Sequence, residues 1–243
     1  MPEGPTLVIL KEQTTQFEGK VVTAVAGNTT IDLERLLHKK VKSLRTWGKH
    51  FLISFDGFYV RVHFLMFGSY SVDEDRKAKI RLGLTFKNGV LNFYASNIKL
   101  VEGKVEDDYD FAADIMGDKW DARKAKRRLN EIPDEMICDA LLEQDIFSGS
   151  GNIIKTEVLY RARVHPESKT SKIPAAKMKN ILHEVRHYAF EFLKWKKADE
   201  LKKHWEAYTK KKCGRCDLPM HKKETGKKKR RSFFCTNCQK LYA

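Results

Sequence analysis

Residues 51–64 read FLISFDGFYVRVHF, and this stretch decides the fold of the first half of the chain. Two runs of aromatic and β-branched residues flank an Asp-Gly pair, which is among the strongest sequence signals for a tight β-hairpin. A second pair of runs, at 80–86 and 90–94, flanks an Asn-Gly pair in the same way. Several short strands joined by such turns predict a β-sandwich or a barrel.

The pattern changes on both sides of these strands. Residues 5–17 have the apolar spacing of a helix, and the strand pattern breaks near Asp114–Ala122. Beyond that break, residues 134–142, 153–163 and 175–195 have helical periodicity, and the polar stretch from 195 to 212 is also expected to be helical. We therefore predict an α+β protein of two domains, an N-terminal β-sandwich with flanking helices over 1–118 and a helical domain over 119–208, followed by a small module over 209–243.

Charge is distributed unevenly along the chain. The net charge is +15, yet residues 1–118 are neutral overall, whereas residues 209–243 hold 12 basic and 2 acidic side chains. This imbalance indicates a polyanionic partner that is met mainly by the C-terminal half, although a basic tail can also be a solvated or targeting segment. A hydrophobic content of 42% excludes a disordered protein, and the absence of a long apolar run or signal segment predicts an intracellular protein without membrane association.

The cysteines predict a metal site in the basic tail. Two Cys-x-x-Cys pairs, Cys213 with Cys216 and Cys235 with Cys238, are separated by 18 residues. Such knuckles form a tetrahedral thiolate cage for zinc, and four protein ligands make the ion structural rather than catalytic. Two disulfides are the alternative, but no signal peptide supports a secreted protein. Cys138 lies in a helical pattern and is expected to be a buried apolar residue.

The chain begins MPEGP, which places a candidate nucleophile at the N-terminus. Removal of Met1 would leave Pro2 with a free secondary amine, and an α-amino group has an ordinary pKa of roughly 7.7–8.0. A helix that starts here favours the neutral form of this amine, and Glu3 supplies a proton donor or acceptor beside it. An amine and a carboxyl group together suit Schiff-base chemistry. The alternative is that Pro2 and Pro5 only start a helix.

A glycine-rich turn opens the predicted helix at 153–163. The sequence from Phe147 to Asn152 reads FSGSGN. A turn of this kind directs backbone N–H groups and the helix dipole towards an anion, and the Asn152 side chain adds a donor. An ordinary corner between two helices would use the same residues.

Together these features resemble the formamidopyrimidine-DNA glycosylase and endonuclease VIII family over essentially the whole chain. The resemblance implies a bifunctional DNA glycosylase and AP lyase of base excision repair. It also implies a helix–two-turns–helix motif and one zinc ion in a C-terminal finger, with DNA in the cleft between the domains. The family pattern implies that Pro2 attacks the deoxyribose C1′ and that Glu3 is the acid and base at the sugar.

The resemblance also implies the residues that bind DNA. Lys49 matches the family's hairpin lysine, which contacts the phosphate beside the lesion and is counted with Pro2 and Glu3 among the catalytic residues. His63 and Asn152 match further phosphate-binding positions. Arg230 matches the zinc-finger arginine that grips the lesion phosphate, but the neighbouring Arg231 leaves this register open.

A flipped nucleotide also leaves a gap in the stack, which apolar wedges fill. Leu65, Met66 and Phe67 are the candidates, in a loop expected after a strand that ends at Phe64, and core packing is the alternative for them.

Two features resemble the endonuclease VIII branch. The sequence YASNI at 94–98 is similar to that branch, and neither an Arg-Arg-Phe-Gly wedge nor a glycine-rich loop before Cys213 is present. The implied substrates are oxidised pyrimidines such as thymine glycol and dihydrouracil, removed with β,δ-elimination. Thr6 departs from the family, which usually has an acidic residue there, and this puts lesion recognition in doubt.

The expected partner is damaged double-stranded DNA, and we expect a monomer located in the cytoplasm, associated with the nucleoid if the source is bacterial. Three alternatives stay open on the sequence. The chain could be an 8-oxoguanine or formamidopyrimidine-specific glycosylase, a catalytically silent DNA-binding protein of the same fold, or an unrelated zinc-ribbon protein.

Overall fold

A computed structural model of the chain describes residues 2–74 and 76–243. It divides into two compact units, Met1–Asp110 and Phe111–Ala243. Met1, whose removal the sequence predicts, lies outside the described residues. No helix within the described ranges combines the length and the apolar character that crossing a membrane requires.

The first unit consists of one helix followed by an antiparallel sheet and a short helix. Its elements are α1 (Gly4–Thr14), β1 (Val22–Ala26), β2 (Ser43–Trp47), β3 (His50–Ser54), β4 (Phe58–Val72), β5 (Ile80–Phe86), β6 (Gly89–Glu102) and α2 (Val105–Asp108). The strands have the order β1-β5-β6-β4-β3-β2. Both hairpins that the Asp-Gly and Asn-Gly pairs predict are present.

The two long strands of this sheet allow it to enclose a core. The pairing of β4 with β6 is interrupted between Phe64 and Ser69, so that each strand has two separately paired halves. Phe51 on β3 and Phe93 in the first half of β6 are on strands that are not neighbours, yet their ring centroids lie 5.9 Å apart and both side chains are fully buried. The two parts of the sheet therefore pack on a common core, as a sandwich does. Leu7 and Leu10 of α1 complete that core, as their spacing predicted.

The second unit is helical with a small two-stranded sheet. Its elements are α3 (Ala122–Asn130), α4 (Ile137–Ala140), α5 (Asn152–Ala162), α6 (Ala175–Lys197), β7 (His221–Thr225) and β8 (Arg230–Phe234). Helices α5 and α6 contribute half of the buried residues in its main apolar core. Cys138 is buried in this core, as predicted, and burial raises the pKa of its thiol to about 11.

Three boundaries differ from those that the sequence predicted. The helix expected over 134–142 is only the short α4, because the N–H groups of Ile137 and Cys138 donate to the carbonyls of Ser168 and Pro166 rather than to a preceding helical turn. The stretch 195–212 is not the helix that was expected, since α6 ends at Lys197 and only a short 3-10 turn at Leu201–His204 follows. The second unit also begins before the predicted residue 119, since Ile115 is tied by backbone hydrogen bonding to Ser148, and it includes the 209–243 module.

Candidate active site and nucleic-acid interface

The N-terminal residues lead directly into α1. Gly4 is the first residue of this helix, and Glu3 precedes it in an extended conformation with φ of −124°. The Glu3 side chain is 1% exposed, whereas Pro2 is half-buried. Helix α1 packs against β2 and β3, whose connecting turn carries Lys49. The candidate nucleophile, its neighbouring carboxyl group and the hairpin lysine therefore belong to one unit.

Thr6 has a structural role that accounts for its departure from the family pattern. Its hydroxyl accepts a hydrogen bond from the Glu3 N–H at 3.1 Å and donates to the Glu3 carbonyl at 2.6 Å. An acidic residue at the third helical position ordinarily reaches back to the same N–H group in a capping box. Thr6 therefore supplies the acceptor that an acidic residue would supply, but it brings no negative charge to the N-terminal amine.

The turn between β2 and β3 presents Lys49 beside His63. Gly48 occupies the first central position of this two-residue turn with φ of +53°, a left-handed conformation that glycine adopts without the strain that a side chain causes. His50 follows the turn and lies opposite His63 in the register of β3 and β4. The His63 ring is hydrogen-bonded to the Lys49 backbone. The structure thus brings together two residues that the sequence singled out separately.

Both histidines are neutral at pH 7 because of their surroundings. Burial lowers the pKa of His63, and it lowers that of His50 to about 3, with the nearby His63, Arg61 and Lys49 acting in the same direction. The Nδ1 atoms of both rings are buried, and neither has a hydrogen-bond partner within the described residues. The one N–H group of neutral His63 is therefore donated to the Lys49 backbone.

These shifts predict that acid weakens the fold. The His50 pKa of about 3 lies below its ordinary value near 6.5, so the unfolded chain binds the proton first. The stability that comes from keeping His50 neutral in the folded protein is present above about pH 6.5 and is lost as the pH falls towards 3. Between pH 6.5 and 5.5 the free energy of unfolding should fall by about 1 kcal/mol more in the wild type than in His50→Gln.

Urea unfolding of both proteins at the two pH values measures this difference. His183→Gln, at a side chain that is 68% exposed, is the control and should retain the wild-type pH dependence. Identical pH dependence in the wild type and in His50→Gln would contradict the assignment.

The candidate wedge residues are not part of the core. Leu65, Met66 and Phe67 are 53%, 60% and 86% exposed, which excludes core packing for them. They do not follow the end of a strand as predicted, since β4 continues to Val72, and they lie where its pairing with β6 is interrupted. The interruption lets three consecutive apolar side chains project from a strand that is anchored on both sides.

In the second unit, the glycine-rich turn contacts the zinc-finger hairpin. Gly151 caps α5 in an extended conformation, and Asn152 is the first helical residue. The Asn152 Nδ2 atom donates to the Arg231 carbonyl at 2.8 Å, while its Oδ1 atom is buried with no partner within the described residues. The structure therefore confirms a helix at this turn and brings Asn152 to the backbone of the candidate arginines.

Three buried charged residues that the sequence did not single out hold this part of the unit together. Lys155 is fully buried, and its Nζ atom donates to the Ser232 hydroxyl at 2.9 Å. The buried Glu157 carboxylate accepts from three consecutive backbone N–H groups, including that of Tyr208 at 2.7 Å. Lys155 and Glu157 stand among apolar residues of α5, and this position in the sequence could have identified them. Charges that are buried require partners, so both residues would have been expected to bind other parts of the fold.

The third of these residues is Asp139, which holds the tip of the hairpin. Its carboxylate accepts from the Lys227 N–H at 2.6 Å and from the Lys228 N–H at 3.3 Å. Gly226 has φ of +68°, and a Cβ atom there would lie 2.1 Å from the carboxylate. Only glycine permits this approach. Burial raises the pKa of Asp139, and the two N–H donors oppose that shift.

The four C-terminal cysteines lie together, as their spacing predicted. Their Sγ atoms are all within 4.8 Å of one another, with Cys213 and Cys238 at 3.8 Å and Cys216 and Cys235 at 3.5 Å. Four Zn–S bonds of ~2.3 Å place sulfur atoms roughly 3.8 Å apart, so this set fits a tetrahedral ion. The buried Tyr160 hydroxyl lies 3.3 Å from Cys213 Sγ and orients that ligand from α5.

Comparison with known proteins agrees with this arrangement. Residues 1–97 match the model of the formamidopyrimidine-DNA glycosylase N-terminal domain, and residues 111–198 match that of the formamidopyrimidine-DNA glycosylase H2TH domain. The chain belongs to the formamidopyrimidine-DNA glycosylase family. The H2TH match covers the helix–two-turns–helix region, including the turn before Asn152.

Solved structures of DNA glycosylases have the same fold over nearly all of the chain. A viral DNA glycosylase aligns with a TM-score of 0.85, covering 98% of this chain and 100% of that one at 20% identity. The formamidopyrimidine-DNA glycosylase of Lactococcus lactis, bound to DNA with an AP site, aligns with a TM-score of 0.86, covering 98% and 99% at 20% identity.

The similar curated sequences are endonuclease 8-like proteins of the same family. Endonuclease 8-like 3 of Xenopus laevis is 28% identical over 90% of this chain and 38% of its own length. Endonuclease 8-like 2 of Mus musculus is 30% identical over 74% of this chain and 58% of its own length. The chain therefore spans little more than a third of the length of the endonuclease 8-like 3 relatives that it matches.

Proposed function

We propose that this chain is a bifunctional DNA glycosylase and AP lyase of base excision repair that acts through a Schiff base on Pro2. The observation that supports it most is a proline at the second position, followed by a buried Glu3 at the start of α1, in a chain of this family. A catalytically silent protein of the same fold would need neither residue.

In the proposed reaction, the neutral Pro2 amine attacks C1′ of the damaged nucleotide, and the bond from C1′ to the base breaks. The base leaves with a proton, and opening of the sugar ring gives an iminium ion between C1′ and the proline nitrogen. Loss of a C2′ proton then expels the 3′ phosphate, and a second elimination expels the 5′ phosphate. Glu3 moves protons at the sugar, and water hydrolyses the iminium ion to regenerate the amine.

We assign DNA binding to residues of both units. Lys49 donates to phosphate from the first unit, where the hydrogen bond from His63 positions its turn, and Asn152 donates from the second. Leu65 to Phe67 fill the gap that the flipped nucleotide leaves, since three exposed apolar side chains in a row suit insertion between bases. The proposed partner is damaged double-stranded DNA, bound by a monomer.

We assign the zinc-finger phosphate contact to Arg230 rather than Arg231. Alternate residues of a strand share a face, so Arg230 lies on the same face of β8 as Ser232. The Ser232 hydroxyl contacts Lys155, one helical turn after Asn152. Arg230 therefore emerges on the side of the hairpin that faces α5, whereas Arg231 emerges on the opposite side.

This assignment predicts unequal effects of two neighbouring substitutions. Arg230→Ala should weaken binding to every lesion by roughly tenfold and reduce the slope of log K against log salt by about 1, because one phosphate contact is lost. Arg231→Ala is the matched control and should change both quantities less. Fluorescence anisotropy across a salt series measures them. A larger effect of Arg231→Ala would reverse the assignment, and a loss limited to one lesion would mean that Arg230 reads the base.

We also infer that the substrates are oxidised pyrimidines and that the ion in the four-cysteine site is a structural zinc. The YASNI sequence at 94–98 and the lack of an Arg-Arg-Phe-Gly wedge and of a glycine-rich loop before Cys213 support oxidised pyrimidines as substrates. The similar curated sequences also carry endonuclease 8-like names. Zinc suits the second, because four thiolates leave no open coordination position. The ion would hold the hairpin that carries Arg230.

A lesion panel tests the proposed function. Duplexes with one thymine glycol, dihydrouracil, 8-oxoguanine or abasic site are incubated with protein whose N-terminal residue is confirmed by mass spectrometry as Pro2. We expect cleavage at the pyrimidine lesions and products with phosphate at both ends of the gap. Preference for 8-oxoguanine would overturn the substrate class alone, whereas no cleavage of any substrate, the abasic site included, would overturn the enzymatic proposal.

A further inference from the structure

A groove between α3 and α6 lies within the second unit, formed by residues other than those assigned to DNA. It has a volume of about 900 Å³, which is within the range of established ligand sites. Its floor includes Trp120, Leu182 and Phe190, and Phe190 is 42% exposed. The small side chains of Ala175 and Ala176 are also among the lining residues.

The rim of the groove is cationic. Arg123 and Lys126 line it from α3, and Lys179 and Arg186 line it from α6, whereas no carboxylate is among the lining residues of the described chain. Within the described ranges, the ammonium groups of Lys126 and Lys179 have no ion-pair or hydrogen-bond partner. Uncompensated cations beside an apolar floor favour a ligand that brings both carboxylates and apolar side chains.

Acidic residues of α6 lie near the two groove histidines, with Glu184 within 3.9 Å of both His183 and His187, but not near the lysines of the rim. Glu184 and Glu191 of α6 are both paired with Arg161, at 3.5 and 2.5 Å. Asp121, just before α3, accepts from the N–H groups at the start of that helix. These carboxylates are bound to Arg161, to backbone N–H groups or beside the groove histidines, and none of them pairs with Lys126 or Lys179.

The aromatic residues of the groove suit side chains better than nucleotide bases. The Arg186 guanidinium covers the Phe190 ring at 5.0 Å from its centroid and is itself held by the carbonyls of Ile115 and Gly117. Base stacking on a single strand needs an open aromatic face. A concave floor of leucine, alanine and partly covered rings instead accommodates aliphatic or aromatic side chains from a helix.

We propose that this groove binds an acidic amphipathic segment of a partner protein. The segment is a helix that places large apolar side chains on the floor and carboxylates against Lys126 and Lys179. Two helices that form the walls of an apolar groove are a common receptor for a third helix. This site would recruit a partner without occupying the residues assigned to DNA.

The binding test uses the full zinc-loaded chain and a fluorescein-labelled 16-residue peptide of Glu, Asp, Leu and Phe with its apolar residues on one helical face. A second peptide replaces Leu and Phe by Ala and keeps the charge, and a 16-nucleotide oligothymidylate represents single-stranded DNA. We expect the first peptide to bind with micromolar affinity and the alanine peptide at least tenfold more weakly. Equal binding of both peptides, or displacement of the first peptide by the oligonucleotide, would overturn the proposal.

Variants separate the groove from general electrostatic attraction. Lys126→Glu combined with Lys179→Glu should weaken peptide binding at least tenfold, whereas Lys194→Glu with Lys196→Glu, at exposed positions on α6, should not. Ala176→Trp fills the groove from an exposed position without changing the charge, and it should also abolish binding. All of these variants should cleave lesion DNA normally. Unchanged peptide binding by Ala176→Trp, or equal losses in both charge-reversed proteins, would refute the site.

Discussion

Protein that retains any residue ahead of Pro2 should form no covalent adduct with abasic DNA under borohydride. An acylated proline nitrogen is an amide, which has no basic lone pair and cannot form an iminium ion. The trapped fraction should fall by a factor on the order of 10³ or more, as expected when a nucleophile is removed. Protein that begins at Pro2 is compared with protein that retains a residue ahead of it, after mass spectrometry has confirmed both N-termini.

Two variants serve as controls for this loss. Glu3→Gln keeps the amine, so it should still be trapped on abasic DNA while removing damaged bases far more slowly. Blocked protein should still bind abasic DNA in the absence of borohydride, because Lys49, Asn152 and Arg230 do not depend on the amine. An adduct that forms equally well with blocked protein would show that another amine, such as a lysine, is the nucleophile.

Removing the metal, or substituting Cys213→Ser, should release the hairpin β7–β8 and strongly weaken specific DNA binding. Four residues of β7 are exposed, so this strand adds almost no core of its own. Structural zinc sites contribute about 10–16 kcal/mol in isolated fingers, which exceeds what the hydrogen bonds from Asn152, Lys155 and Asp139 supply. Loss of the hairpin removes Arg230, and affinity should fall roughly 100-fold.

Hydrogen exchange, zinc analysis and anisotropy on one protein sample test this together. Exchange should accelerate in 213–243 and remain slow in β3 and β4, since the first unit has its own core. Cys138→Ala is the control, because this buried cysteine lies outside the metal cluster. Metal-free protein that cuts lesions at the normal rate would show that Arg230 is not needed in the active site.

The elements that could be predicted from the sequence are those with local causes. The hairpins follow from glycine-containing turns between apolar runs, α5 and α6 follow from their periodicity, and the cysteine cluster follows from its spacing. The predicted helix over 134–142 failed because its backbone donors are satisfied by Pro166 and Ser168, more than 25 residues away in the chain. Local propensity has no information about such long-range partners.

The features of the candidate site also fall into those that the sequence predicts and those that only the structure reveals. The sequence alone supplies the groups on which the proposed chemistry rests: a proline at the second position with a neighbouring carboxyl group, cations at the positions that the family pattern assigns to phosphates, and four thiolates at metal-binding spacing. Only the tertiary structure decided how these groups are held. It placed Thr6 as the capping acceptor, His63 beside Lys49, and the buried charges of Lys155 and Asp139 against the hairpin of Arg230. The physical reason is that reactivity resides in a side chain and its immediate neighbours, whereas burial and hydrogen bonding depend on which distant segments the fold brings together.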